Sequence, residues 1–256
     1  MVLFETIAVA FGMFSALPMP QPQWNERNMR YAMCAFPLIG VVCGVVWYAW
    51  AWVCGYFALP VLLRAAGLCL VPVLITGGIH LDGYADTCDA LASCAEPAQK
   101  QEILADPHCG AFAVIRLCSY FVATLGLCAA LEPTPAACFC MGLCFTLERA
   151  LSGLAVTSFP MAKNTGLAHL FATTADRDRV RRILTVVCVV LCVLLVISGG
   201  ALAAVAALLV FWHYHHTAQK QFGGISGDLA GWFVQRAELW MLAALTAGQW
   251  LWGWAL

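Results

Sequence analysis

Long apolar runs constrain the fold of this chain more than any other feature of its sequence. Hydrophobic residues make up 62% of the chain and charged residues only 11%, whereas a soluble domain carries about 25% charged residues. Several runs approach or exceed the roughly 20 residues that span a bilayer as a helix, among them residues 33–59, 109–131, 136–159 and 231–256. Because helices satisfy their own backbone groups in lipid, we predict an all-α, polytopic membrane protein.

The breaks between the runs predict one transmembrane catalytic domain over residues 1–256, a helical bundle with about seven spans. Gly199 and Gly200 divide the overlong run 183–212 into two short spans. Residues 1–17 form an additional helix, and their short length leaves open whether it crosses the membrane or lies at the interface. The net charge of −1 argues against nucleic acid as a partner.

Charge divides the connections between the apolar runs into two groups. If every break is a crossing, the polar segments 18–32, 80–108, 160–182 and 213–230 share one side of the membrane and carry most of the basic residues. The connections on the other side carry Arg64 alone. The positive-inside rule then places the polar segments, and any site they build, in the cytoplasm.

Three aspartates are conspicuous in a chain with so few charges. Asp82, Asp86 and Asp89 are spaced i, i+4 and i+7, which on an α-helix gathers them within an arc of roughly 60°. Carboxylates this close raise one another's pKa, so the face is stable when it holds a cation or keeps one member protonated. Oxygen donors without a set of Cys or His partners suit Mg²⁺, Mn²⁺ or Ca²⁺, and we predict a divalent-metal site.

A glycine-rich segment on the same side, residues 223–228, precedes the last apolar run. Glycine amides can form a concave nest for an anion, and a helix N-terminus favours negative charge. Ser226 is placed to cap the helix, and Asp228 would add a fourth carboxylate beside a phosphate cradle. The alternative is a flexible turn with an Asp in the first helical turn.

Four further residues have more than one interpretation. Asp106 is a further metal ligand or an N-cap, and His80 is a base, a substrate contact, a partner of the metal ligands or a plain interfacial histidine. Glu148 and Arg149 lie within a span, where ionisable residues are costly and functional by default. They are adjacent and point about 100° apart, so we expect them to need different partners. Arg149 is then a phosphate or substrate anchor, or half of a structural ion pair.

Together these features favour a membrane phosphotransferase. A divalent cation on clustered carboxylates beside an anion nest is how phosphoryl or phosphodiester transfer is stabilised. The competing interpretation is a cation or metabolite transporter, which would place ionisable residues near mid-membrane in several spans. Most carboxylates lie in the polar segments instead, which favours an enzyme.

The stretch GGIHLDGYADTCD at residues 77–89 closely resembles the signature of the cobalamin synthase family, the adenosylcobinamide-GDP ribazoletransferases. The resemblance runs nearly end to end, because shorter segments follow in the family's order at residues 17–20, 36–40, 106–110, 163–167 and 223–228. It implies a multi-pass enzyme of the bacterial inner membrane, active on the cytoplasmic side in vitamin B12 assembly.

The resemblance also implies a reaction: the enzyme joins adenosylcobinamide-GDP to α-ribazole, or to its 5′-phosphate, with Mg²⁺, and GMP leaves. On this chain Asp82, Asp86 and Asp89 would be catalytic and hold Mg²⁺ and the pyrophosphate, while Asp228 completes the site. The general base would be Asp89 first or His80 second. The implied substrate contacts are Gly83, Asp106, His108, Arg149, Lys163, Gly224, Ser226 and Gly227. Membrane lipid is a further expected partner, and a homo-oligomer is left open.

This chain departs from the family pattern at four positions. Ala16 stands where a basic residue is usual, and His108 stands where Arg is usual. Ala113 replaces a usual Gly, and Ser226 replaces a common Thr. These departures concern substrate contacts and leave the aspartate cluster untouched.

Another membrane phosphotransferase class also sets an Asp-Gly and further aspartates at a helix end, namely the nucleotide-linked lipid-head-group enzymes. Their signature usually holds Ala-Arg where this chain has Ala85-Asp86, which weighs against them. Product analysis with each activated donor separates the two classes.

Overall fold

The structure, a computed structural model, describes residues 2–22 and 24–252. That part of the chain is helical, with no strand longer than an isolated bridge between Met161 and Ile225. The all-α class predicted from the apolar runs is therefore confirmed. The helices are α1 (Val2–Phe14), α2 (Glu26–Met29), α3 (Ala32–Tyr56), α4 (Val61–Thr76), α5 (Ile79–Ala92), α6 (Pro97–Ile103), α7 (Ala111–Ala130), α8 (Pro135–Ser158), α9 (Leu167–Thr174), α10 (Arg177–Ile197), α11 (Ala201–Phe222) and α12 (Gly227–Trp252).

Within the described residues, four helices are long and apolar enough to cross a membrane: α3, α7, α8 and α10. The bent pair α4 and α5 makes a fifth if it is counted as one broken span. Helices α11 and α12 have 22 and 26 residues, which is long enough for a bilayer core, but their composition keeps them outside this group. The polytopic membrane class is confirmed, and the total of about seven spans stays a prediction.

The N-terminal helix α1 packs against the bundle. It has 13 residues and is about 20 Å long, shorter than the hydrocarbon core. Val9 is fully buried, and the ring centroids of Phe14 and Phe36 are 4.6 Å apart. The amide of Ala16 donates to the carbonyl of Ile75 at 2.8 Å, which ties the end of α1 to the end of α4.

Contact between α3 and α8 forms the centre of the bundle. A Cβ on Gly44 would lie 2.6 Å from the Cα of Gly142, and a Cβ on Gly40 would collide with the backbone of Phe145. Small residues four positions apart let two membrane helices approach this closely. Helices α10 and α12 then pack on other faces of α8, so α8 is buried along most of its length.

A sharp bend separates α4 from α5. Gly77 and Gly78 have φ angles of +66° and +81°, a left-handed conformation that glycine adopts without steric cost. The two helices are bent by 97°, so α5 leaves the axis of α4. The predicted break at Gly199-Gly200, between α10 and α11, is confirmed.

The start of α12 is held by a second loop. The amide of Ile225 donates to the carbonyl of Pro160, and the amide of Ala162 donates to the carbonyl of Ile225, both at 2.9 Å. The loop after α8 therefore runs beside the loop before α12. The last predicted span ends in residues 253–256, which lie outside the described residues.

Candidate active site

A cavity of about 380 Å³ opens where α5, the start of α12 and the loop after α8 meet. Helices α1, α3, α8 and α9 also contribute to its wall. Seven residues singled out in the sequence lie in the lining: His80, Asp82, Gly83, Lys163, Ser226, Gly227 and Asp228. The fold thus brings parts of three polar segments to one cavity.

Gly83 accounts for the proximity of α5 and α12. A Cβ on Gly83 would lie 2.7 Å from the Cα and carbonyl oxygen of Asp228. One on Gly231 would lie 2.9 Å from the carbonyl oxygen of His80. The two helices therefore touch backbone to backbone, which glycine permits because it has no side chain. The contact places the exposed Asp82 and the half-buried Asp228 in the same lining.

Asp86 and Asp89 follow Asp82 along α5 but do not line the cavity. Burial raises the pKa of the Asp86 carboxyl to about 6, and the charges of the other three aspartates add to the rise. Asp89 lies against Gly110, where a Cβ would collide with the Asp89 carboxylate. In residues 2–22 and 24–252, no three His, Cys, Asp or Glu side chains are grouped so that they could hold one ion as they stand.

The chemistry of the four aspartates nevertheless fits a divalent cation. Their oxygen donors are the ligands that Mg²⁺ prefers, and a bound cation relieves the repulsion that raises the pKa of Asp86. Burial also raises the pKa of Asp228, and the charge of Lys163 offsets part of that rise. The metal site stays a prediction, and it requires the carboxylates to come closer together than they stand.

Lys163 reaches the cavity from the loop after α8. Its Nζ donates to the carbonyl of Gln101 at 2.9 Å, and the Gln101 Nε2 donates to the carbonyl of Phe222 at 2.8 Å. Helix α6 thereby ties the loop that carries Lys163 to the end of α11, which leads into the loop before α12 and Asp228. The positively charged ammonium group of Lys163 is held in this way near the Asp228 carboxylate.

The glycine-rich segment does not form the predicted anion nest. The amide of Gly223 donates to the carbonyl of Gln219, and the amide of Gly224 donates to that of Ala218. Gly223 has a φ of +74° and ends α11 in the usual way for a C-terminal glycine. A Cβ on Gly224 would lie 2.6 Å from the amide nitrogen of Ala162. Gly224 therefore permits the two loops to pack, and its amide does not face an anion.

Ser226 caps α12, as predicted. Its Oγ accepts a hydrogen bond from the amide of Leu229 at 3.3 Å and donates to the Asp228 carboxylate at 3.5 Å. The cap starts the helix at Gly227, beside the cavity. The first amides of α12, with the helix dipole behind them, are the backbone groups that favour an anion here.

His80 is buried in the cavity wall, with 6% of its surface exposed. Burial, and then the charge of Arg149, lowers the pKa of His80 to about 3, so the ring is neutral and a weak base. Its Nε2 is buried and has no hydrogen-bond partner in the described part of the chain. His80 is therefore placed to contact a ligand in the cavity, and its role stays a prediction.

Glu148 and Arg149 bind each other, and not separate partners as predicted. The Arg149 Nη1 donates to Glu148 Oε1 at 2.6 Å and to the carbonyl of Phe145 at 2.9 Å. Adjacent helical positions point about 100° apart, but these two side chains are long and flexible enough to reach each other. Both residues are fully buried and neither lines the cavity. Of the two interpretations of Arg149, the structural ion pair is correct in this arrangement.

A second carboxylate in this buried region, Glu238, was not assigned a role from the sequence. Tyr120 donates its hydroxyl hydrogen to Glu238 Oε1 at 3.1 Å. Glu148, Arg149 and Glu238 all carry buried polar atoms without a hydrogen-bond partner in the described residues. The sequence did contain a signal for Glu238, because it is an ionisable residue inside the apolar run 231–256, and such residues are functional by default.

Asp106 and His108 lie on an exposed turn outside the cavity lining. Asp106 Oδ1 accepts from the amide of His108 at 2.9 Å and lies 2.7 Å from its Nδ1, contacts that lower the pKa of Asp106. The N-cap of α7 is Gly110. Asp106 is therefore not the predicted N-cap, because its carboxylate closes the turn that precedes the helix.

Three phenylalanines line the cavity without having been singled out in the sequence: Phe14, Phe36 and Phe171. They come from α1, α3 and α9. Phenylalanine is common in apolar runs and carries no motif, so only tertiary packing identifies the residues that face a cavity.

Fold and cavity together define the class of this protein: a multi-pass helical membrane protein with carboxylates at an internal cavity. A model of the cobalamin-5-phosphate synthase family matches residues 6–246. The chain therefore belongs to this family, whose named members are transferases.

Curated relatives are named adenosylcobinamide-GDP ribazoletransferase. The one from Lachnoclostridium phytofermentans is 40% identical over 238 residues, covering 92% of this chain and 90% of the relative. The relative from Clostridium botulinum strain Alaska E43 is 30% identical, covering 93% and 95%. The relative from Geobacillus sp. strain WCH70 is 31% identical, covering 86% and 87%. No solved structure matches the chain.

Proposed function

We propose that this chain transfers the adenosylcobinamide-phosphate part of adenosylcobinamide-GDP to α-ribazole or α-ribazole 5′-phosphate. The products are adenosylcobalamin or its 5′-phosphate, together with GMP, in a late step of vitamin B12 biosynthesis. The observation that carries the proposal is the meeting of Asp82 and Asp228 at one cavity, in a chain that matches the family over residues 6–246.

The reaction exchanges one bond to phosphorus for another. A ribose hydroxyl of the acceptor attacks the phosphorus attached to cobinamide, and the bond from that phosphorus to the oxygen of GMP breaks. The electron pair of that bond leaves with GMP, and the hydroxyl proton passes to a base. Negative charge therefore builds on the phosphoryl oxygens and on the leaving oxygen, and the site must stabilise it.

The residues that would hold Mg²⁺ are Asp82, Asp86, Asp89 and Asp228. When bound, a divalent cation neutralises the charge that develops on the phosphate oxygens. The support is the all-oxygen donor set and the raised pKa of Asp86. Four carboxylates without a cation would repel a pyrophosphate, so the proposal also accounts for how an anionic donor approaches them.

The remaining groups at the cavity attract and orient the donor. Lys163 is tied beside Asp228 and supplies a positive charge for a phosphate oxygen. The first amides of α12 add backbone donors at a helix N-terminus. Both features favour binding of the pyrophosphate at the mouth of the cavity.

A carboxylate at the cavity is the proton acceptor in this proposal. His80 is too weak a base, with a pKa of about 3. Asp89, the first candidate from the sequence, lies against Gly110 outside the lining. Asp82 and Asp228 both line the cavity, so in this proposal a carboxylate oxygen of one of them that is not bound to Mg²⁺ accepts the proton.

The bacterial cytoplasmic membrane is the location we propose, with the cavity facing the cytoplasm. The charge distribution supports this orientation. Lys163, which lines the cavity, and the basic residues at the start of α10 belong to one polar segment, and basic segments favour the cytoplasmic side. Nucleotide-activated donors are made in that compartment.

Turnover of the purified chain in lipid nanodiscs tests the proposal. We expect GMP and adenosylcobalamin from adenosylcobinamide-GDP, α-ribazole and Mg²⁺, no product after chelation, and recovery when Mg²⁺ is restored. A thermal melt of the chelated protein controls for unfolding. Absence of GMP from the wild-type chain would contradict the activity, and full turnover after chelation would contradict the metal assignment.

A further inference from the structure

The cavity that holds Asp82 and Asp228 has a buried wall of aromatic rings. The ring centroid of Phe14 is 4.6 Å from that of Phe36 and 5.5 Å from that of Phe171. The ring of His80 continues the row, 5.7 Å from Phe36. Phe36 and Phe171 are only 3% and 1% exposed, so they pack behind Phe14, and the partly buried Phe14 is the ring of this row with surface left for a ligand.

The polar groups of the cavity lie nearer the surface. Asp82 is exposed, and Lys163, Ser226 and Asp228 are partly exposed. The buried polar residues of the lining are His80 and Ser152, with 6% and 3% exposure. The lining therefore changes from charged at the mouth to apolar and aromatic at the buried end. A ligand that fills it must have one polar and one apolar aromatic end.

From this gradient we infer that the buried end binds the benzimidazole base of the acceptor nucleoside, while the pyrophosphate of the donor stays at the mouth. The inference rests on the proposed function and assigns its two substrates to the two ends of one cavity. Phe14, supported by Phe36 and Phe171, then sets the specificity for the acceptor base.

The chemistry of the substrates determines which of them can bind at the buried end of the cavity. A methyl-substituted benzimidazole is flat and largely apolar, and it stacks on aromatic rings. Guanine presents several hydrogen-bond donors and acceptors along its edge, and the two buried polar side chains beside the rings, His80 and Ser152, are too few to satisfy them. A corrinoid is too large for a cavity of about 380 Å³. The acceptor is therefore the substrate that fits the buried end.

This placement also orients the reaction. With the base against the phenyl rings, the ribose extends toward Asp82 and Asp228, where the donor's phosphorus is bound. The attacking hydroxyl and the phosphorus then meet at the boundary between the two ends of the cavity.

A leucine substitution at Phe14 tests the inference, because Phe14 touches both other rings and is only partly buried. Loss of a stacking ring worth about 0.5–1.5 kcal/mol corresponds to a rise of roughly 2- to 12-fold in the KM for α-ribazole. We expect the KM for adenosylcobinamide-GDP to change little. The matched control is Phe4→Leu on the same helix, where the ring is 57% exposed.

A probe of the wild-type chain keeps the inference testable if Phe14→Leu fails to fold. We expect an azido-substituted benzimidazole riboside to crosslink, on illumination, to peptides that contain Phe14, Phe36 or Phe171. α-Ribazole and its 5′-phosphate should compete with the probe, and GDP should not. Competition by GDP alone, or a selective rise in the donor's KM in Phe14→Leu, would overturn the inference.

Failure of the inference and failure of the proposed function give different results. A wild-type chain that releases no GMP contradicts the proposed function. A wild-type chain that turns over normally, with acceptor KM values that are equal in Phe14→Leu and Phe4→Leu, contradicts only the assignment of the acceptor base.

Discussion

Asp82 and Asp228 line one cavity but have different surroundings. Asp82 is exposed on the first turn of α5, whereas Asp228 is half-buried beside Ser226 and under the influence of Lys163. If both bind one cation, each is needed for the same interaction. Removing either carboxylate then removes most of the benefit of the other.

We predict that Asp82→Asn and Asp228→Asn each lower the rate of GMP release by roughly 100-fold or more, because charge stabilisation by a metal contributes several kcal/mol. The double variant should lose little beyond the worse single variant. The control is Asp178→Asn, since that carboxylate is 79% exposed and pairs with Arg181 outside the cavity lining. Losses that multiply in the double variant would contradict a shared cation.

The buried ion pair of Glu148 and Arg149 concerns stability. Both side chains are 0% exposed, so truncating the arginine leaves a carboxylate without its counter-charge in the bundle. We predict that Arg149→Met destabilises the protein by roughly 3–5 kcal/mol, measured by unfolding in detergent.

The matched control for this variant is Arg181→Met, which breaks an exposed pair at a similar distance of 3.0 Å. Solvent screens exposed pairs, so we expect little change in the free energy of unfolding. Equal destabilisation by the two substitutions would show that burial does not determine the effect.

At the scale of the elements, the site depends on the contact of α5 with α12. Two glycines, Gly83 and Gly231, place the backbone of each helix against the other. A bend of 97° after α4 directs α5 across the bundle to that contact. The aspartates are thus positioned by helix packing, and a side chain at the contact would separate them.

We predict that Gly83→Ala destabilises the protein by roughly 1–3 kcal/mol and lowers GMP release, because the new Cβ would lie 2.7 Å from the Asp228 backbone. The matched control is Gly126→Ala in α7, where no heavy atom lies within 4 Å of the new Cβ. There alanine should be neutral or stabilise the helix by up to about 1 kcal/mol. Thermal melts and GMP assays of both variants measure the difference, and similar behaviour of the two would contradict the close contact.

At the scale of the whole molecule, the orientation in the membrane can be measured with cysteines. Cys94 and Cys109 are exposed on the polar segment that follows α5. We predict that an impermeant maleimide labels them in inverted vesicles only, and that it labels Glu132→Cys, in the turn between α7 and α8, in right-side-out vesicles only. Site-resolved mass spectrometry reads out the labels. Labelling of Cys109 from the outside would reverse the proposed orientation.

Much of the fold could be predicted from the sequence, because lipid leaves the backbone few alternatives. Apolar runs predicted the helices, and the glycine pair at residues 199–200 predicted a break between two of them. The spacing of three aspartates predicted that they lie on a helix, which is α5. Each of these features depends on local sequence alone.

Several side-chain roles could not be predicted in the same way. Gly224 looked like part of an anion nest, but its amide bonds the end of α11 and its missing side chain makes room for another loop. Arg149 looked like a phosphate anchor, but its nearest partner is its own neighbour, Glu148. Spacing along the chain does not tell which distant backbone or carboxylate will be close.

The sequence by itself determined that this protein is a helical membrane protein with clustered carboxylates, since hydropathy and helical spacing are local properties. Only the tertiary structure decided that Asp82 and Asp228 share a cavity with Lys163, and that three phenylalanines from separate helices line its buried end. The physical reason is that these contacts depend on close approach of backbones at glycines far apart in the chain. Such approach is a property of packing, and no single segment encodes it.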